Sequence, residues 1–68
     1  MKKPTFKTFI DRIIEAKDKQ DAIENVFYGT HYDANGNITE YGIDLAYQRE
    51  CITYSEHQKL LKLIEKMA

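Results

Sequence analysis

The chain is 68 residues long, enough for one small domain and too short for a barrel or a doubly wound sheet. Hydrophobic residues make up 43% of it and charged residues 31%, a balance typical of folding chains rather than disordered ones. Ten Lys plus Arg against eleven Asp plus Glu leave a net charge of -1, so no global field favours nucleic acid or an anionic membrane.

The charges are segregated although they nearly cancel. Residues 1–17 carry five basic and two acidic side chains, residues 18–56 two basic and eight acidic, and residues 57–68 three basic and one acidic. Such a pattern fits helices of opposite charge attracting one another within the fold, or an acidic middle presented to a basic partner. The single cysteine, Cys51, has no internal disulfide partner, and Met1-Lys2-Lys3-Pro4 leads into an amphipathic stretch rather than the apolar run of a signal peptide. A reducing cytoplasm is the expected location. Apolar runs of two or three residues fall far short of the roughly 20 that a spanning helix needs.

Phe6, Phe9, Ile10, Ile13 and Ile14 recur at steps of three and four and predict a first helix over residues 4–16, with Lys7, Asp11, Arg12 and Glu15 on its solvent side. Pro4 and Thr5 suit its start. After a break at Lys17-Asp18, Ala22, Ile23, Val26 and Phe27 predict a second, shorter helix. Asp18 and Asp21 lie in its first turn, where carboxylates favour the positive end of the dipole, and Gly29 is placed to end it.

His31 to Asn37 is the strongest loop signal, because Asn35-Gly36 tolerates positive φ and Asp33 can close a side-chain turn. Two connections fit. One is a hairpin pairing Tyr28 to Asp33 with Asn37 to Tyr41; the other is a plain link between helices, favoured because two isolated strands are marginal in water. The string Tyr-Asp-Ala-Asn-Gly-Asn-Ile-Thr at 32–39 resembles the core of a YD repeat, an architecture that needs many copies, whereas one copy stands here. An EF-hand is excluded. Counted from Asp33, glycine arrives at position four rather than six, and position twelve is Asp44 rather than Glu.

A third helix is expected from Thr39, carrying Ile43, Ala46 and Tyr47 on one side, until Cys51-Ile52-Thr53 breaks it. Thr53-Tyr54-Ser55-Glu56 has the spacing of a capping box and predicts a fourth helix running to the C-terminus. His57, Leu60, Leu61, Ile64 and Met67 form its apolar stripe, with Lys59, Lys62 and Lys66 toward solvent.

Nucleophilic catalysis would draw on Cys51 with His31 or His57, yet no spacing orients such a pair and the chain leaves little volume for a cleft. One Cys and two separated His form no zinc spacing. No catalytic, cofactor-binding or metal-binding residue is therefore expected, and no cofactor. A DNA-binding helix-turn-helix around Cys51 to Thr53 would offer Tyr54, Ser55, His57, Gln58, Lys59 and Lys62 to a groove. That register puts Ala46 at the small position and Glu50 at the turn position normally given to glycine, and it buries Glu56 and Lys59 at a cost of several kcal/mol.

The segment from Tyr47 to Leu61 resembles the short helical SHOCT pattern, in which a helix ends, an Ile-Thr step follows and an acidic helix start leads into paired leucines. It is also similar to small helical proteins of Gram-positive phages, plasmids and conjugative elements. The resemblance covers about the last third of the chain, and Cys51 stands where the SHOCT pattern usually has glycine. It implies an interaction or oligomerisation module without catalytic residues.

Taken together, the residues predict one all-α domain over 1–68, a small bundle of three or four short helices, with the short β-hairpin around 28–41 as the alternative connection. The expected core is Phe6, Phe9, Ile10, Ile13, Ile14, Ile23, Val26, Phe27, Leu45, Ala46, Leu60, Leu61 and Ile64. The expected function is non-enzymatic binding of a protein partner or a second copy through Tyr41, Tyr47 and Tyr54, in an accessory or regulatory protein of a mobile element. A small DNA-binding transcriptional regulator is the alternative; neither membrane nor general nucleic-acid binding is expected.

Overall fold

A computed structural model describes residues 3–67; Met1, Lys2 and Ala68 lie outside the described residues. Helix α1 spans Phe6–Glu15. Thr5 caps it, its hydroxyl accepting from the Thr8 N–H while the Thr8 hydroxyl accepts from the Thr5 N–H, so two orphan donors of the first turn are satisfied reciprocally. Pro4 stands before the helix rather than in it.

Helix α2, Lys19–Ala22, starts at Asp18, whose carboxylate accepts from the Asp21 N–H at 2.8 Å. It runs directly into a π-helical turn, Ile23–Phe27, closed by the Tyr28 N–H donating to the Ile23 carbonyl at 3.0 Å. The chain leaves this turn at Gly29, where a Cβ would collide with the Asn25 carbonyl. Gly42 is also too tight for a side chain, since its Cβ would stand 2.8 Å from the Phe27 carbonyl oxygen and 2.9 Å from the Gly29 nitrogen. The exit of the π turn and the entry to the next helix thus pass backbone against backbone, which only glycines permit.

Between them lies an antiparallel hairpin of β1, His31–Tyr32, and β2, Ile38–Glu40. The helical connection favoured from sequence is therefore corrected. Thr39, expected to open a helix, belongs to β2, and both strands are shorter than the hairpin alternative supposed. The turn has the three-residue form of a type I turn followed by a left-handed residue: Gly36 has φ 82°, its N–H reaches the Asp33 carbonyl at 3.1 Å, and the Asp33 N–H reaches the Asn37 carbonyl at 2.9 Å. Asp33 Oδ1 accepts from the N–H groups of Asn35 and Asn37 at 2.8 and 3.0 Å. These bonds hold its carboxyl below the usual range, the Asn37 N–H contributing most. A bulge between His31 and Tyr32 shifts the register, His31 facing Glu40 and Tyr32 facing Ile38.

Helix α3, Ile43–Gln48, begins at Gly42. It ends in a Schellman arrangement, with the Cys51 N–H on the Ala46 carbonyl at 2.8 Å and the Glu50 N–H on the Tyr47 carbonyl at 3.1 Å. Glu50 holds the left-handed position, φ 61°. Helix α4, Tyr54–Glu65, opens with the expected capping box: Thr53 Oγ1 accepts from the Glu56 N–H at 3.1 Å and Glu56 Oε1 from the Thr53 N–H at 2.9 Å. It stops at Lys66 rather than running to the last residue.

Helix α4 packs against α1, α2 and α3, and the π turn packs against α1 and α3. Phe9, Ile13, Ala22, Val26, Ile43, Ala46, Ile52, Leu60 and Ile64 are buried between them. Four helical segments with one small hairpin therefore replace a purely helical bundle. Three core residues, Ala22, Ile43 and Ile52, were absent from the expected set, and Ile14 is 71% exposed. Phe6, Ile10, Ile23 and Phe27 pack from the edge of the core, and Leu45 and Leu61 are half-buried.

Candidate functional site

Arg12, assigned to solvent by the helical pattern, has an 18% exposed side chain. Nη1 donates to the Tyr41 carbonyl and Nη2 to the Asn25 carbonyl, both at 2.7 Å, and Nη2 lies 2.8 Å from Glu40 Oε1. One guanidinium thereby joins α1, the π turn and the end of β2. The Gly42 N–H donates to Thr30 Oγ1 at 2.9 Å and ties the two ends of the hairpin segment together. These contacts fix the hairpin to a body that covers little of it: residues 31–37 are all exposed.

Asp21 organises the neighbouring surface. Its carboxylate accepts from the Lys17 N–H at 3.0 Å and the Asn25 side-chain amide at 2.5 Å. The Lys17 N–H first, and Asn25 second, hold its pKa below the ordinary value.

The expected interface tyrosines separate into two places. Tyr47 on α3 and Tyr54 at the start of α4 have ring centroids 6.1 Å apart. Tyr47 also stacks on His57 at 4.6 Å, and His57 lies 5.8 Å from Phe27, whose ring meets Tyr28 edge-on at 4.7 Å. A continuous aromatic face results, Tyr28–Phe27–His57–Tyr47–Tyr54, assembled from the π turn, α3 and α4. Tyr28 and Tyr54 are each 63% exposed and Tyr47 36%. Next to it runs an apolar groove of ≈ 260 Å³ lined by Ile23, Phe27, Tyr28, Leu61 and Ile64, with Lys19 and Glu65 at its border.

Tyr41 lies elsewhere. Half-buried against the core, it lines a hollow of ≈ 360 Å³ with Lys3, Thr5, Thr8, Arg12 and Thr39, between the start of α1 and β2. The parts of the face that sequence reasoning missed are His57 as its centre and Phe27 and Tyr28 as its extension. Periodicity within each segment carries no signal that these rings meet across the π turn, α3 and α4.

Cys51 is a half-buried free thiol packed against the core. His31 is exposed on β1, and His57 Nδ1 lies 3.4 Å from the Gln58 side-chain amide. Among the described residues, no group of three or more His, Cys, Asp or Glu side chains is placed to hold a metal ion. No helix of the described residues is long and apolar enough to cross a membrane.

In the helix-turn-helix register, Ala46 is fully buried and Glu50 adopts the left-handed backbone that the turn position requires. Glu56 and Lys59 do not enter the core: Glu56 is half-buried with its carboxylate on the Thr53 N–H, and Lys59 is exposed. The burial cost expected for that register therefore does not arise, although the two positions also contribute no core packing. Comparison with known proteins finds no matching family model, no similar curated protein and no similar solved structure.

Proposed function

We propose that this protein is a non-enzymatic interaction module that engages a protein partner or a second copy through the aromatic face centred on Tyr47, His57 and Tyr54. The observation that carries the reading is the continuity of that face. Three partly exposed tyrosines are joined through His57 and Phe27 within 6.1 Å at each step. Tyrosine combines a large apolar ring with a polar tip and is enriched in the buried centres of interfaces. The SHOCT-like C-terminal third supports the same class of function, and the similarity to small proteins of phages and plasmids supports an accessory or regulatory role in a mobile element. A cytoplasmic location belongs to this reading.

The test is enrichment from native cells by the wild-type chain and by Tyr47→Ser/Tyr54→Ser, with light scattering of both. Proteins retained by the wild type and lost by the folded variant, or a dimer that becomes a monomer, are the expected result. A wild-type chain that stays monomeric at high concentration and retains nothing the variant loses refutes the reading.

A DNA-binding regulator is the second reading, favoured by the left-handed Glu50 turn between α3 and α4. A duplex shift in electrophoresis that disappears with added salt and with Lys59→Ala/Lys62→Ala would support it.

A further inference from the structure

The exposed tip of the hairpin holds Asn35 directly before Gly36. Among the described residues, nothing beyond the chain neighbours comes within 4 Å of where a Gly36 Cβ would stand, so the tip is open to water. An asparagine in such a place carries a chemistry of its own, because the backbone nitrogen of the next residue can attack its side-chain amide carbon. Glycine leaves that nitrogen unhindered. Asn25 and Asn37 precede Val26 and Ile38, whose branched Cβ crowds the same approach, and the Asn25 side-chain amide is already donated to Asp21.

We propose that Asn35-Gly36 is a self-modification site, converted through a succinimide to aspartyl and isoaspartyl forms with water as the only co-reactant, and that the closed hairpin holds it inert. In the first step the Gly36 N–H gives up its proton and the nitrogen bonds to Asn35 Cγ. The Cγ–Nδ2 bond breaks, and ammonia leaves with that proton. Water then adds across one of the two ring C–N bonds: opening at Cγ restores the ordinary backbone with a side-chain carboxylate, and opening at the Asn35 backbone carbonyl routes the chain through the side chain. One water is consumed and one ammonia released, with nothing oxidised or reduced.

Two features of the closed turn oppose the first step. The Gly36 N–H donates to the Asp33 carbonyl at 3.1 Å, so its proton is held. The type I turn keeps Asn35 at ψ of about 0°, which sets the Gly36 nitrogen roughly 120° around the Cα–C bond from Cβ; a five-membered ring needs the two nearly eclipsed. Asp33 Oδ1 clamps this conformation through the Asn35 and Asn37 N–H groups. Arg12 on Tyr41 and Glu40, and the Gly42 N–H on Thr30, hold the base of the hairpin. Attack therefore waits for opening, and its rate follows the open population. Hydrolysis makes the change one-way. Either product sets a new carboxylate beside Asp33, and the isoaspartyl form inserts a backbone carbon between the two N–H groups that Asp33 binds, so the clamp cannot be remade.

Incubation of the full chain at mildly alkaline pH, with and without denaturing urea, tests this. Peptide mass mapping reads the gain of one mass unit at each asparagine, and methyl transfer by an isoaspartyl methyltransferase reads the isoaspartyl product. In urea Asn35 should be modified before Asn25 and Asn37, and in the folded chain at least tenfold more slowly than in urea. Without urea, Arg12→Met and Asp33→Ala should each speed modification of Asn35 at least threefold while leaving the rate in urea unchanged. Asp33→Ala disturbs only the tip, and circular dichroism confirms that it is folded. Asn35→Gln should abolish the isoaspartyl product. Equal rates with and without urea overturn the shielding, and so does an Asp33→Ala chain that reacts no faster than the wild type, because Asp33 would then not act as the clamp. An Asn35 that stays intact in urea, or reacts there no faster than Asn37, overturns the site itself.

Discussion

Replacing Arg12 with methionine keeps much of the aliphatic stem and removes the guanidinium that joins α1, the π turn and β2. Two of its contacts are charge-assisted bonds to backbone carbonyls, at 2.7 Å each, and bonds of that kind contribute about 1.5–3 kcal/mol. The third is an ion pair with Glu40, whose side chain is 52% exposed, and pairs that wet contribute about 0–1 kcal/mol. Asn25 is exposed, so its carbonyl regains water in the variant, and the lower end of the range applies. Arg12→Met should then cost about 3 kcal/mol, most of the ~3–5 kcal/mol a domain of this size holds. Arg12→Lys should recover less than half, because one ammonium cannot reproduce the fork, and Glu40→Gln should cost less than about 1 kcal/mol. Urea denaturation measures all three, with amide exchange at Ile38 reporting release of the hairpin. If Glu40→Gln proves as costly as Arg12→Met, the ion pair rather than the carbonyl bonds holds the hairpin, and the reasoning fails.

Thr53→Ala should lower stability by about 0.5–2 kcal/mol through loss of the α4 cap; an unchanged urea midpoint at unchanged slope would show that the cap is idle. Glu50→Gly should raise stability by about 0.5–1 kcal/mol, since Glu50 holds φ 61° and glycine removes the left-handed penalty at some entropic cost; a lower midpoint would contradict this. Asp33 has its folded pKa depressed by the Asn37 and Asn35 N–H groups. Its contribution to the turn is therefore full above the unfolded value of about 3.9 and lost as pH falls through the lower folded value. Amide shifts of Asn35 and Asn37 should titrate with a midpoint below about 3.9, and a midpoint at or above it would refute the bonding described. Cys51→Ser should leave partner binding intact; its loss in a folded variant would assign the thiol a role.

The features legible in the sequence are those whose partners lie within a few residues. Thr53 meets Glu56 and Asp18 meets Asp21 three positions on, and the period of Phe9, Ile13, Leu60 and Ile64 fixes which helix faces enter the core. The break at Cys51 to Thr53 is legible for the same reason, being set by local capping. Tertiary structure decided the rest. Two short strands are marginal alone, so the hairpin exists because Arg12, far away in sequence, binds Tyr41 and Glu40. The same inward turn of α1 that buries Arg12 leaves Ile14 71% exposed, an outcome that a 3.6-residue period cannot specify. Tyr47, Tyr54 and His57 each satisfied a pattern on its own helix. Their meeting with Phe27 depends on how α3, α4 and the π turn pack, and Gly29 and Gly42 let the exit of the π turn and the entry to α3 pass in contact, a constraint between segments that no local periodicity encodes.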